Sequence, residues 1–300
     1  MNVFPPKIIV VAFDFSNRSM QAWRYAGGLA RRLRASLRVI YVAPLTFLPE
    51  GPPILPLNRA ERLALAERLR RRLGGKAEGR VTEGDIVGGI LTEAREAGAD
   101  LIVMATSGRT GLSRAVVGSI TEAVARLSPI PVLSLRRAAA LPRRVLAPVN
   151  LKSYSMAGYH MAEAASKALG ARLTLLYVRE GRDDKAASVR LSLAAEASRS
   201  LLHLPVKTKL VEGRPVPAIL KEAADHDLLV LVAHRRGILR DGLLGTTAEQ
   251  VLRRCPVPVL CVPAPQPAPR RSAVRRHGGM PRQRAAASIW RERPLVRVNM

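Results

Sequence analysis

The chain has 300 residues, of which 48% are hydrophobic and only 4% aromatic, and its net charge is +26. That length suits two domains, each with its own core, and that hydrophobic content excludes a largely disordered chain. With so few aromatics the core falls to Ala, Val, Leu and Ile, as in the aliphatic strands of a helix-covered parallel sheet.

The first apolar run, Lys7 to Phe13, reads as a buried strand that stops at Asp14-Phe15-Ser16-Asn17. Ser16 or Asn17 can cap the helix that follows to about Leu33. Ala35 to Val42 is a second strand. Five prolines from Pro44 to Pro56 then exclude a central strand or helix interior. Asn58 caps a helix to about Leu73, and Ala77 to Thr82 is a short third strand. A helix over Asp85 to Gly98, a strand over Leu101 to Ala105, a helix over Ser119 to Leu127 and a strand over Pro131 to Leu135 complete the first half.

The second half repeats the first. Ala35-Ser36-Leu37-Arg38-Val39-Ile40-Tyr41-Val42 recurs as Ala171-Arg172-Leu173-Thr174-Leu175-Leu176-Tyr177-Val178, and Pro129-Ile130-Pro131-Val132-Leu133 recurs as Pro256-Val257-Pro258-Val259-Leu260. A period this long marks duplication of a whole domain. Strands are expected at Arg144 to Val149, Ala171 to Val178, Val206 to Val211, Leu228 to Ala233 and Pro258 to Val262. Helices are expected at about Met156 to Leu169, Asp184 to His203, Pro217 to His226 and Thr246 to Arg254. The boundaries are residues 1–137, 143–263, and a basic Pro/Arg-rich disordered tail over 264–300. Alternating strands and helices give an α/β class: two tandem open-twisted five-stranded parallel sheets with helices on both faces, of Rossmann-like architecture.

The charge has two readings. One is a partner carrying phosphates. The other is arginine written onto solvated helix faces, since no aromatic side chains interleave the charges for base stacking. The tail is either a tether to nucleic acid or an anionic partner, or a solubilising extension. Cys255 and Cys261 bracket one extended segment and suit buried small hydrophobes better than a disulfide. Reduced cysteines, no bilayer-length apolar stretch and no signal peptide, Asp14 interrupting the first apolar run, place the protein in the cytoplasm.

Ligands of open parallel sheets bind beyond the strands' carboxyl ends, where strand order reverses. That rule selects Asp14-Phe15-Ser16 and the segment from Ala105 to Ser119. The latter holds Gly108, Gly111, Gly118, Arg109 and Arg114 just before a helix N-terminus, the ingredients of a phosphate cradle. Asp14 repels phosphates and suits an adenine amino group or a ribose hydroxyl instead.

Gly108, nine residues and Gly118-Ser119 resemble the nucleotide signature of the ATP-binding universal stress proteins. The opening strand ending in Asp-x-Ser, the Ala99 to Met104 strand and the closing Pro-Ile-Pro-Val-Leu are similar to the same family, through to about Val262. The resemblance implies a tandem universal stress protein of adenine nucleotide alpha hydrolase-like fold. It would bind ATP or AMP, with or without Mg2+, as a sensing or regulatory module in the stress response. By the same resemblance Asp14 holds the adenine or ribose side, and Val42 offers its backbone to the base. Gly108 and Gly118 admit the phosphates, and Ser119 and Ile120 donate from the helix start. Ala105 replaces the signature's first glycine, and a positive φ there would cost about 1 kcal/mol. In the second half Asn150 stands for Asp14, and only Gly245-Thr246 keeps the loop register, so that half reads as a degenerate partner. The halves should pack as an internal pseudo-dimer along Pro131 to Leu135 and Pro258 to Val262, and a further homodimer is compatible with this. A slow ATPase ranks last, for want of a base or a cluster of metal-binding carboxylates.

Overall fold

The computed structural model describes residues 4–44, 56–74, 78–106, 119–150, 156–180, 185–233 and 246–264. The first half runs β1 (Ile8–Ala12), α1 (Asn17–Leu33), β2 (Ser36–Pro44), α2 (Arg59–Arg72), β3 (Glu78–Gly84), α3 (Ile86–Glu96), β4 (Leu101–Ala105), α4 (Ser119–Leu127) and β5 (Val132–Leu135). The second runs β6 (Arg144–Pro148), α5 (Met156–Leu169), β7 (Arg172–Arg179), α6 (Lys185–Leu202), β8 (Val206–Glu212), α7 (Pro215–Ala223), β9 (Leu228–Ala233), α8 (Thr246–Arg254) and β10 (Val259–Pro263).

The ten strands form one sheet in the order β3-β2-β1-β4-β5-β10-β9-β6-β7-β8. Within each half the strands are parallel. The two expected five-stranded sheets therefore merge edge to edge. β5 and β10 pair antiparallel, with Leu133 opposite Leu260 and Ser134 opposite Val259. Leu133 and Leu260 are equivalent positions of the two copies, so a pseudo-two-fold axis passes between them. The pairing removes two sheet edges at once, and each half lends the other a ladder that it lacks alone.

Alternate strand residues point to opposite faces. Ile9, Val11 and Phe13 join the side chains of α1, α2, α5 and α6 in one core. Val10, Ile102 and Met104 join those of α3, α4, α7 and α8 in the other. Both faces are covered, which is why the strands carry aliphatic side chains on both sides rather than alternating with polar ones.

Local chemistry fixes the ends. Ser16 caps α1 by accepting from Ser19 N, and Asn58 forms a reciprocal capping box with Glu61 on α2. Asp85 caps α3. Before β4 the Asp100 carboxylate accepts from Lys7 N and Ile8 N, tying it to the start of β1; Asp227 does the same for Arg143 N and Arg144 N in the second copy. Helix α7 starts at Pro215, two residues before the expected Pro217, because a proline at the first helical position sacrifices no hydrogen bond.

Candidate functional site

In the first half β2 and β3 lie to one side of β1, while β4 and β5 lie to the other. The reversal falls between β1 and β4, and their carboxyl ends define the rim where a ligand is expected. Asp14 sits there, half-buried, with its Oδ1 accepting from Ser16 N at 2.9 Å. This short turn aims the chain into α1. Phe15 takes φ 63°, a left-handed conformation that costs a side-chain-bearing residue about 1 kcal/mol. Its ring meets Tyr41 edge-on at 4.8 Å and Phe13 at 5.4 Å, contacts that offset this cost.

Val42 does not end its strand. The β1–β2 ladder closes with Ala12 opposite Ile40, whereas β2 runs on to Pro44 against β3. Val42 therefore lies on a strand edge that overhangs the end of β1. Its side chain is buried in the core under α3, so only its main chain faces the rim.

Ala105 closes β4 in extended backbone, and the described non-glycine residues with positive φ are Phe15, Arg34 and His203. The substitution of the signature's first glycine by Ala105 thus carries no left-handed strain. Thr121 Oγ1 donates to Ala105 O at 3.0 Å, while Thr106 N and Oγ1 both donate to Leu135 O. The first bond pins the first turn of α4 against the end of β4, and the other two tie that end to β5. Ser119, exposed, and Ile120, half-buried, open that helix. Gly108, Gly118 and the rest of the segment between β4 and α4 lie outside the described residues.

Arg18 and Thr121 escaped the sequence reading. Arg18 Nη1 donates to Thr106 O at 3.4 Å, spanning from α1 to the end of β4 across the strand-order reversal. Its signal was its place one helical turn after Asp14. Thr121 aligns with Ala248 of the second copy, so the hydroxyl that anchors α4 has no counterpart there. Asn150, the counterpart of Asp14, is exposed.

Other titratable groups are absorbed by structure. Burial pushes the thiols of Cys255 up to about 11 and Cys261 up to about 12, which keeps both protonated and unreactive. His160 pairs with Glu163, whose other oxygen accepts from Ser198 at 2.5 Å between α5 and α6. Arg80 and Glu93 form a buried pair at 3.0 Å, and at the equivalent positions of the second copy an exposed Lys209 reaches Glu222. Among the described residues no three His, Cys, Asp or Glu side chains gather as a metal site, and no helix is long and apolar enough to cross a membrane.

The sequence profile of the universal stress protein family matches residues 6–136 and again 142–263. The chain belongs to the universal stress protein family, in tandem form. A universal stress protein of Methanocaldococcus jannaschii is 33% identical over 140 residues, 44% of this chain and 82% of that one. One from Bacillus subtilis is 29% identical over 144 residues, 43% of this chain and 97% of its own. The crystal structure of a universal stress protein from Archaeoglobus fulgidus superposes with a TM-score of 0.68 at 22% identity, covering 87% of this chain and 99% of that one. It shares the α/β fold of this tandem universal stress protein.

Proposed function

We propose that this tandem universal stress protein is a cytoplasmic stress-response module that senses ATP or AMP through its first half, the second half serving as structural partner. The observation that carries the reading is the overhang of β2 past β1. It carries the main chain of Val42 past the end of β1, the end from which the chain turns at Asp14, and α4 starts at Ser119 on the end of β4. The adenosine would lie along that edge, with Asp14 accepting from an amino or hydroxyl group. The phosphates would lie over the segment holding Gly108 and Gly118, with the amides of Ser119 and Ile120 donating to them. Any Mg2+ would arrive on the phosphates of ATP, as the described rim offers no set of protein ligands for it.

Isothermal titration of the whole chain with ATP and with AMP tests this. Binding that Gly118→Leu abolishes supports the reading. Absence of heat at millimolar nucleotide, with the protein folded, defeats it.

A further inference from the structure

Beside the Asp14 turn, but facing α2 rather than α4, lies an open cleft of about 610 Å³ lined by Phe15, Arg68, Arg71 and Arg72. We infer that this cleft is a second anion site, built for a small ion of two or more linked phosphate groups.

The three arginines of the cleft are held in a way that leaves their charge available. Among the described residues several arginines are neutralised by carboxylates: Arg62 by Glu83, Arg38 by Glu78, Arg144 by Asp227 and Arg199 by Glu196. The cleft differs. Arg68 lies over the ring of Phe15, with its guanidinium carbon 4.6 Å from the centroid. Arg72 donates to the amide oxygen of Asn17 at 3.4 Å. Both partners are uncharged, so they orient the guanidinium groups and leave the positive charge in place. Arg71 has Glu67 at 3.8 Å, but Arg70 already holds that carboxylate with two bonds of 2.7 Å. Three like charges converging on one cleft repel one another, and among the described residues no carboxylate lines it.

Helix α2 is suited to present such a cluster. Only Ala66 and Leu69 of its residues are buried, so it rests on the sheet by a narrow stripe and keeps its arginines in water. The strained Phe15 supplies the floor. Planar, forked donors on a rigid aromatic base match tetrahedral phosphate oxygens, and the volume is ordinary for a small-molecule site. A linked phosphate fits better than a single carboxylate, because it spreads two or more charges over three donors.

Titrating the full chain with tripolyphosphate is the test, with AMP titrated separately and then held at saturation. The arginines of the tail are common to every variant, so differences between variants report on the cleft. The double change Arg68→Gln with Arg72→Gln should weaken binding about tenfold or more, since each lost charge-assisted bond counts. Arg68→Lys with Arg72→Lys should fall between, and Arg95→Gln, a charge removed from α3 on the other face, should have no effect. Equal losses from Arg95→Gln and the double glutamine variant would reduce the signal to net charge and overturn the inference. So would displacement of tripolyphosphate by saturating AMP, which would put the anion in the nucleotide crevice. A protein that binds tripolyphosphate in this pattern yet ignores AMP would keep the cleft and lose the nucleotide reading.

Discussion

Arg253 of the second half grips Glu122 of the first with two bonds, Nε to Oε2 at 3.1 Å and Nη2 to Oε1 at 3.0 Å. It also reaches Glu249 on its own helix at 2.5 Å. Glu249 is the repeat equivalent of Glu122, so the two carboxylates meet beside the pseudo-two-fold axis with an arginine between them. Arg253→Ala should destabilise the protein by about 1–2 kcal/mol. It strips a nearly buried carboxylate of its partner, while the 40% exposure of Arg253 lets water screen part of the loss. Urea unfolding monitored by circular dichroism measures this, and no change in midpoint would show that the seam stands without the pair.

The same cluster sets a pH dependence. Burial, and next the neighbouring Glu122, push the Glu249 carboxyl above its ordinary value of 4.5. A folded pKa above the unfolded one means that the contribution is fully present below about pH 4.5 and is lost as pH rises through the folded pKa. Glu249→Gln should therefore raise the melting temperature near neutral pH, and the gain should shrink as pH falls toward the ordinary carboxylate range. A gain that persists unchanged at low pH would assign it to something other than ionisation.

Gly89 of α3 lies against Val42, and a Cβ there would sit 2.9 Å from Val42 Cγ1. Valine is stiff, so the helix must move away from the sheet. Gly89→Ala should cost about 1–3 kcal/mol from overpacking, despite the better helix propensity of alanine. It should also weaken nucleotide binding by displacing β2, which thermal melts and AMP titration would read separately.

Arg34 caps α1 in the left-handed region, φ 56° and ψ 41°, and is exposed. Glycine takes this position without a Cβ penalty. Arg34→Gly should stabilise the protein by about 0.5–1 kcal/mol, less whatever the freer unfolded chain takes back. Chemical denaturation would show it as a higher midpoint at unchanged slope.

Thr121→Val keeps the shape but removes the bond to Ala105 O. About 1 kcal/mol of stability should go with it. If the nucleotide reading holds, affinity should fall several-fold, because the first turn of α4 loses its tether to β4. The matching change Ala248→Thr in the second half should leave affinity unaltered.

Much of the fold was legible along the chain. β4, α4, α5, β9 and α8 fall on their expected bounds, because apolar runs and capping residues act within a few residues of one another. Asp14 and Ser16 were legible for the same reason: a strand end followed by a helix cap is a local event. The reach of Val42 was not, because it depends on where β1 stops relative to β2, and that is a matter of register between strands. Nor could the sequence place Phe15 beneath Arg68, residues joined only when α2 folds back over the first turn.

By itself the sequence determined the duplication, the strand–helix alternation and the rim on which Asp14 stands, since each follows from local pattern and spacing. The resemblance already pointed to packing along Pro131 to Leu135 and Pro258 to Val262; tertiary structure alone decided that these strands pair antiparallel with Leu133 opposite Leu260, that Glu122 and Glu249 share Arg253, and that three arginines converge on one cleft. Those relationships join residues far apart in the chain, and only packing brings their charges and main-chain groups within reach.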